Sequence, residues 1–395
     1  MIEQVGQGRM LARLEPTTLA VTRSAGVLVF AIGALVFAIG SLLQVHPAIA
    51  RQRNPAPSQR QVEQAQREEG EAILALADAA LSGKALPSDF SLQWQNDFVK
   101  AQRGTFVPFT LTVDASQFSR RTALVYVRAI RRSENHESDS GERKPAARPG
   151  EESTYPVDAI FPVDLTHTVG RALRLSRGFS VTAGDYDVFV VMRERVDPAA
   201  QRTRPKASVL RQSLSVPDFG STELTTSSVI LADRLTVLAE EVPAHQLPER
   251  PYVIGRNEIT PAVDRRFGRD EELIVVFLVY NPMVTPDRQF DVRVEYHFYR
   301  KIGVGQQAGG EGAPGSHPPA RGGERYFNRT DPQRFNPALM GTSFDPGTGE
   351  PVMAGQVVPL AGFEVGDYRL DVQVTDLLSG KSVSRDVLFT VGSEF

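Results

Sequence analysis

The stretch GDYRLDVQVTD at residues 366–376 decides the fold that the sequence predicts. From Tyr368 onward, apolar side chains fall at every second position, as in a strand with one face on a core and one in water. A Gly-Asp-Tyr opening is typical of the tyrosine corner of immunoglobulin-like sandwiches, whose hydroxyl bonds back to the backbone. The alternative is a turn followed by a core aromatic. Because the same residues open GDYDVFVVMRE at 184–194, we predict structural tyrosine corners at Tyr186 and Tyr368.

The sequence around these two strands also repeats. Each copy has two strand-like runs, a polar low-complexity insert, the Gly-Asp-Tyr strand and a closing strand. The runs lie at 105–113 and 122–131 in the first copy and at 272–280 and 290–301 in the second. The inserts, 133–153 and 302–323, cannot bury enough apolar area to offset their ordering entropy, so we expect mobile loops. The sequence therefore predicts an all-β fold with two tandem immunoglobulin- or fibronectin-like β-sandwiches.

Two further segments precede the predicted sandwiches. Residues 1–50 form a signal peptide or membrane anchor, and residues 51–99 a linker and a short amphipathic helix. The first β-sandwich is expected at 100–218 and the second at 219–395. The helix follows from apolar residues at helical spacing before Gly83, a plausible C-cap. Docking against the first sandwich is favoured over a coiled coil, because no sustained heptad repeat follows.

The N-terminal segment predicts export. Residues 25–45 carry no charge, arginines precede them, and Ala48-Ile49-Ala50 is a small-x-small cleavage site. The apolar run is also long enough to span a bilayer as a retained helix. Cleavage and retention both stay open. In either case we expect a periplasmic or extracellular protein, and a retained helix would anchor it in the inner membrane.

Composition excludes several classes of function. The formal net charge of −3 gives no basic footprint for nucleic acid. The absence of cysteine excludes disulfides, thiolate metal sites, a cysteine nucleophile and a lipoprotein anchor.

No catalytic motif stands out, and we predict no enzyme activity, no cofactor and no metal site. The sequence has no G-x-S-x-G elbow and no phosphate-binding loop. The six histidines are scattered, and His297, at an outward strand position, is expected on the surface. Residues 345–350 could ring a calcium ion with oxygens, but Asp-Pro-Gly is first of all a turn former.

One predicted loop has the composition of a binding surface. It contains Tyr326, Phe327, Arg329 and Phe335, and aromatics with arginine commonly anchor interfaces. The alternative is that its aromatics close the edge of the sandwich. Trp94 is another candidate stacking residue, with core packing as its alternative.

Residues 213–238 carry a family resemblance. They read SLSVPDFGSTELTTSSVILADRLTVL, with Ser-x-Pro-Asp-Phe followed by Ile-Leu-Ala-Asp. Together with the Gly-Asp-Tyr strands, this resembles the C-terminal β-sandwich regions of uncharacterised exported acidobacterial proteins, which include von Willebrand-factor-A-related and GWxTD-motif proteins. The sequence has no GWxTD and no Asp-x-Ser-x-Ser adhesion motif. The resemblance therefore implies a fold and a compartment, and no active site.

These features favour a non-enzymatic interaction or scaffold protein with protein partners at the cell envelope. The alternative is an extracytoplasmic carbohydrate-binding module that stacks sugars on the aromatics named above. An enzyme is the third hypothesis, because motifs miss sites assembled from distant residues.

Overall fold

The computed structural model describes residues 59–132, 155–166, 172–196, 204–302, 318–341 and 343–393. The predicted signal or anchor segment at 1–50 and most of both inserts lie outside these residues. Within them, no helix is long and apolar enough to cross a membrane. Most of the described residues lie in β-strands, so the all-β prediction is confirmed.

The strands before residue 217 form what we call the first unit. They are β1 Leu92–Asn96, β2 Val99–Lys100, β3 Thr105–Asp114, β4 Thr122–Arg131, β5 Val157–Asp164, β6 Ala172–Val181, β7 Gly184–Glu194 and β8 Ala207–Val216. One sheet has β1, β2 and β6 paired with β3, and the other has the order β5-β4-β7-β8. The first sheet therefore begins inside the range 51–99 that the sequence assigns to the linker and helix.

The remaining strands form the second unit. They are β9 Thr225–Thr226, β10 Ile230–Val237, β11 Val253–Ile254, β12 Asn257–Pro261, β13 Arg266–Gly268, β14 Glu272–Tyr280, β15 Val292–Lys301, β16 Glu324–Arg329, β17 Gln333–Phe335, β18 Val352–Pro359, β19 Gly366–Asp376 and β20 Ser382–Gly392. One sheet has the order β11-β12-β10-β14-β18 with β9 on β14, and the other β13-β20-β19-β15-β16 with β17 on β15.

The same pairing scheme occurs in both units. Strand β3 pairs with β6 as β14 pairs with β18, and β4 pairs with β5 and β7 as β15 pairs with β16 and β19. Strand β7 pairs with β8 as β19 pairs with β20. Even the register repeats, since Arg131 lies opposite Tyr186 and Arg300 lies opposite Tyr368. The repeated sequence therefore folds into repeated geometry.

Each pair of sheets encloses one hydrophobic core, because alternate strand residues point inward. In the first unit, Val107, Val125 and Val190 are fully buried in one cluster. In the second unit, the ring of Phe363 has its centroid 5.2 Å from that of Phe298 and 5.2 Å from that of Tyr368. These cores hold the sheets face to face.

Helix α1, Gln59–Leu81, docks on the outer face of the first unit. Its Ile73 and Ala77 are fully buried and pack in one cluster with Tyr126 of β4. The carboxylate of Glu69 accepts hydrogen bonds from Arg195, at 3.0 Å. The helix ends before Gly83, whose left-handed φ of 64° suits a C-cap. The shorter helical elements are α2, Pro337–Met340, and single 3₁₀ turns at Ala115–Gln117, Ala244–Gln246 and Pro346–Thr348.

The expected position of His297 is wrong. Its side chain points away from the core as the alternation predicts, but only 1% of it is exposed. Large side chains of β15, β19 and the neighbouring β16 cover the outer face of the sheet around His297. The ring of Tyr326 lies 6.2 Å from that of His297, and the Arg369 guanidinium stacks 4.1 Å from the centre of the Tyr299 ring. Alternation predicts the direction of a side chain, but its burial depends on the strands beside it.

Candidate functional site

The predicted binding loop is two short strands, β16 and β17, which both pair with β15. Phe327 faces the core, with its ring centroid 4.8 Å from that of Phe363. Phe335 also packs against that core. Tyr326 lies on the opposite face, and Arg329 is exposed. The structure therefore does not bring these aromatics together as one stacking platform.

Trp94 is not a free stacking surface either. Its ring stacks on Phe109 at 4.1 Å, and it packs against the core of the first unit. Its indole nitrogen donates a hydrogen bond to Oδ1 of Asn96, at 3.0 Å.

Tyr186 and Tyr368 make the same hydrogen bond at the start of equivalent strands. The hydroxyl of Tyr186 donates to the carbonyl oxygen of Thr182 at 3.0 Å, and that of Tyr368 donates to the carbonyl oxygen of Glu364 at 2.8 Å. Each hydroxyl therefore ties the start of its strand to the turn that precedes it.

An arginine on the neighbouring strand completes each of these corners. The guanidinium of Arg131 donates to the carbonyl oxygen of Ala183 at 2.9 Å, and that of Arg300 donates to the carbonyl oxygen of Val365 at 3.0 Å. Sequence reasoning missed both arginines. The signal was an arginine at or next to the last residue of the second strand-like run of each copy.

Replacing Tyr186 or Tyr368 with phenylalanine is expected to lower the free energy of unfolding by about 1 kcal/mol, the usual net value of one hydrogen bond. Urea denaturation of the two variants would measure it. Each hydroxyl donates to the carbonyl oxygen of the residue four positions upstream, so the losses should be similar; the Tyr186 hydroxyl also lies 3.0 Å from Oγ1 of Thr182. A loss in only one variant would contradict an equivalent role.

The two units meet in a buried contact that we call the joint. It brings Asp97, Phe98 and Lys100 of the first unit against Ser228 and Tyr280 of the second. The backbone nitrogen of Phe98 donates to Oγ of Ser228 at 2.9 Å, and the backbone nitrogen of Ser228 donates to the carbonyl oxygen of Phe98 at 2.9 Å. The backbone nitrogen of Lys100 donates to the hydroxyl of Tyr280 at 3.1 Å.

The two units also touch at Gly178 of β6, which lies against residues 248–251 of the second unit. The backbone nitrogen of Gly178 donates to the carbonyl oxygen of Pro248 at 2.9 Å. A Cβ at Gly178 would lie 2.3 Å from the ring of Phe106 and 3.0 Å from Pro251. A larger residue at position 178 would therefore have to displace the Phe106 ring of its own unit and press against Pro251 of the second.

Asp97 is a buried carboxyl within the joint. It is 2% exposed, and the hydroxyl of Tyr252 from the second unit donates to its Oδ2 at 3.2 Å. Burial raises the pKa of Asp97 to about 6, although the charge of Arg265 and the hydrogen bond from Tyr252 oppose the rise. Burial and the Asp97 charge also raise the pKa of Tyr252 well above its usual value. Sequence reasoning missed Asp97, because the pairing depends on how the units meet.

A cleft of about 360 Å³ opens beside the joint, and we call it the joint cleft. Both units line it, as expected for a binding site between domains. Its walls include apolar side chains, hydroxyls and charged side chains, namely Asn96, Asp97, Phe98, Ser215, Pro217, Phe219, Thr226, Ser227, Ser228, Val229, Arg265, Arg385, Asp386 and Val387. This cleft brings together a carboxyl with a raised pKa, Asp97, a residue with a left-handed backbone, Arg265 at a φ of 52°, and a concave surface.

The described residues place no three His, Asp or Glu side chains where they could hold a metal ion. At the segment 345–350, the side chain of Asp345 accepts a hydrogen bond from the backbone nitrogen of Gly347 at 2.9 Å and receives another from Arg288 at 2.8 Å. The segment is thus a capped turn.

No protein-family model matches the chain, and no curated protein matches it. Among solved structures, a Salmonella alpha-2-macroglobulin mutant overlaps with a TM-score of 0.19 and 11% identity. The overlap covers 78% of this chain and 15% of the macroglobulin chain. At this TM-score the overlap carries no argument about fold or function.

Proposed function

We propose that the chain is a non-enzymatic interaction or scaffold protein of the cell envelope, built from two tandem immunoglobulin- or fibronectin-like β-sandwiches. The observation that carries the proposal is the joint. A scaffold must present two surfaces at a fixed spacing, and reciprocal hydrogen bonds between Phe98 and Ser228 hold the two units together.

The assignment to this class of sandwich is supported by the strand order. In each unit a strand of one sheet, β6 or β18, precedes a strand of the facing sheet, β7 or β19. The Tyr186 and Tyr368 hydrogen bonds stand at this crossing, where immunoglobulin-like sandwiches carry their tyrosine corner.

The joint differs from a flexible linker in what it buries. Domain contacts within a chain are usually polar and permit relative motion. Here Phe219, Leu278 and Tyr280 are buried in one cluster, against which Phe98 and Val99 also pack. Edge strands and end loops of both units then face possible partners in a constant arrangement.

The cell-envelope location is proposed from the uncharged apolar run at 25–45 and the small-x-small site after it. A protein partner in the envelope is proposed with it. If the run is retained, the partner is expected to be a membrane protein.

Site-specific photo-crosslinking in intact cells tests the proposal. A photoreactive residue is placed at Ile160 in the first unit and, in a separate variant of the full chain, at Leu388 in the second; these positions are 41% and 45% exposed. We expect both variants to capture the same envelope protein. Ser228→Pro, which removes a donor and an acceptor of the joint, is expected to abolish capture from at least one position.

The matched control is Ser221→Pro, at an exposed residue outside the joint contacts. It should capture as the parent chain does. Two outcomes would overturn the proposal: no recurring protein at either position, or Ser228→Pro and Ser221→Pro behaving alike. A substrate turnover by the purified chain that Asp97→Asn abolishes would overturn its non-enzymatic part.

A further inference from the structure

The joint cleft is lined by one buried hydroxyl without a hydrogen-bond partner and by two arginines. Thr226 is 2% exposed, and its Oγ1 has no hydrogen-bond partner within the part of the chain that the structure describes. Over the same residues, the guanidinium of half-buried Arg265 makes no hydrogen bond and no close ion pair, although its charge acts on the carboxyl of Asp97. Arg385 is exposed and donates to the carbonyl oxygen of Ser384 at 3.2 Å and, weakly, to the hydroxyl of Thr225 at 3.5 Å, so part of its guanidinium stays open to a ligand. A buried polar group without a partner is rare and calls for an explanation.

Three acceptor side chains that line the cleft already accept hydrogen bonds from the protein. Arg321 donates to both carboxylate oxygens of Asp386, at 3.0 and 2.9 Å. Asp97 accepts from Tyr252, and Oγ of Ser228 accepts from a backbone nitrogen. The surplus of donors therefore matches a ligand that brings acceptors, and guanidinium groups bind carboxylate and phosphate oxygens best.

The backbone holds Arg265 in this position at a conformational cost. Its φ is 52°, in the left-handed region that an arginine rarely adopts. The carbonyl oxygen of Arg265 accepts from the backbone nitrogen of Thr390 at 2.9 Å, which ties the residue to the end of β20. Strained residues of this kind cluster at ligand-binding sites.

We propose that the joint cleft binds a carboxylate carried on an apolar body, with the carboxylate at Arg265, Arg385 and the Thr226 hydroxyl. The apolar body lies against Phe98 and Phe219. A monoanion fits better than a doubly charged phosphate, because the carboxyl groups of Asp97 and Asp386 also line the cleft. The volume of about 360 Å³ suits a group the size of one large side chain. The assignment requires only the cleft and is independent of the scaffold role.

The chain contains its own reporter of occupancy. Trp94 is its single tryptophan, and its indole is hydrogen-bonded to Asn96, which lines the cleft. Ligand contact with Asn96 should change the tryptophan emission, while isothermal titration calorimetry measures the affinity directly.

The test titrates the full chain with hydrocinnamate, its neutral amide hydrocinnamide, and phenyl phosphate. We expect hydrocinnamate to bind about tenfold or more tightly than the amide, the usual effect of a charge-assisted hydrogen bond. Phenyl phosphate is expected to bind more weakly than hydrocinnamate.

A second experiment compares the binding of N-acetyl-Ala-Ala-Phe with a free C-terminus to that of the same peptide with an amidated C-terminus. Tighter binding of the free-acid peptide than of hydrocinnamate assigns the site to a chain terminus, and the reverse assigns it to a small carboxylate; both support the proposal.

Arg265→Gly removes the guanidinium and suits the left-handed backbone, so the variant should fold. It is expected to weaken hydrocinnamate binding by about tenfold or more. The matched control is Arg288→Gly, at an exposed arginine with a φ of 62° outside the cleft, which should bind as the parent chain does. Thr226→Val keeps the side-chain shape and should also weaken binding. Equal binding of acid and amide, or equal behaviour of the two glycine variants, overturns the proposal.

Discussion

Replacing Asp97 with asparagine is expected to stabilise the folded chain by about 3 kcal/mol at pH 8 and to change its stability little at pH 4. The cause is burial, which raises the pKa of Asp97 from its ordinary 3.8 to about 6. At about 1.4 kcal/mol per pKa unit, ionising this carboxyl in the joint is far less favourable than ionising it in the unfolded chain. Asparagine keeps the shape and an acceptor for Tyr252, and it carries no charge.

The direction of the pH dependence follows from the raised pKa. The folded chain holds the Asp97 proton more tightly than the unfolded chain does, so this group stabilises the fold fully below pH 3.8. That contribution falls between pH 3.8 and about 6 and is lost above about 6. Glu194 and Asp187 act in the opposite direction. Burial alone would raise their pKa values, but hydrogen bonds to Glu194, and hydrogen bonds with the charges of Arg211 and Arg132 at Asp187, hold both pKa values below the usual range.

Urea denaturation of parent and variant at several pH values isolates the effect of Asp97, since the other groups cancel in the difference. The matched control is Asp331→Asn, at an exposed aspartate, which should change the free energy of unfolding by no more than about 0.5 kcal/mol. A constant difference in the free energy of unfolding between Asp97→Asn and the parent from pH 4 to pH 8 would contradict the prediction, because it would show that ionising the buried carboxyl costs no stability.

The sequence predicts a strand well where a local pattern, such as alternating apolar residues or a repeated motif, determines it. The period of two places β19 at 366–376, as observed, and the repeated Gly-Asp-Tyr leads to both tyrosine hydrogen bonds. Helix α1 docks on the first unit as its apolar stripe predicts. These features depend on residues close together in the chain, or on one repeated pattern.

The joint and its cleft could not be predicted in the same way. Asp97 lies in a segment that reads as linker, and its partner Tyr252 is 155 residues away. Arg265 belongs to no pattern, and its left-handed φ follows from the path of the chain into β13. The surroundings of these residues depend on how two separately predictable units meet. The aromatics of β16 were missed for a different reason. Tyr326 and Phe327 are neighbours in a strand and so point to opposite faces, but their segment was expected to be a loop.

Replacing Glu324 with alanine is expected to lower the free energy of unfolding by about 3–5 kcal/mol, the usual cost of removing one partner from a buried ion pair. The side chain of Arg369 is 2% exposed and that of Glu324 is 8% exposed, and their atoms meet at 2.8 Å. Burial alone would raise the pKa of Glu324, but the hydrogen bonds and charge of Arg369 outweigh it and hold that pKa below its usual value. Asp371 also contacts Arg369, at 2.7 Å, which places the loss toward the lower end of the range.

The same pair explains which replacements should be tolerated. The double variant Glu324→Leu with Arg369→Met removes both charges and is expected to be far more stable than Glu324→Ala, because no buried charge is left alone. The matched surface control is Glu223→Ala. Both side chains of its ion pair with Lys381 are more than half exposed, so the free energy of unfolding should change by no more than about 0.5 kcal/mol.

The effect of Glu324 should also depend on pH. Since the pKa of Glu324 is lowered, its stabilisation is present above its unfolded pKa and is lost as the pH falls. The difference between the parent and Glu324→Ala in urea denaturation should therefore shrink in acid, and an equal loss in Glu324→Ala and Glu223→Ala would show that the buried pair contributes no more than a surface one.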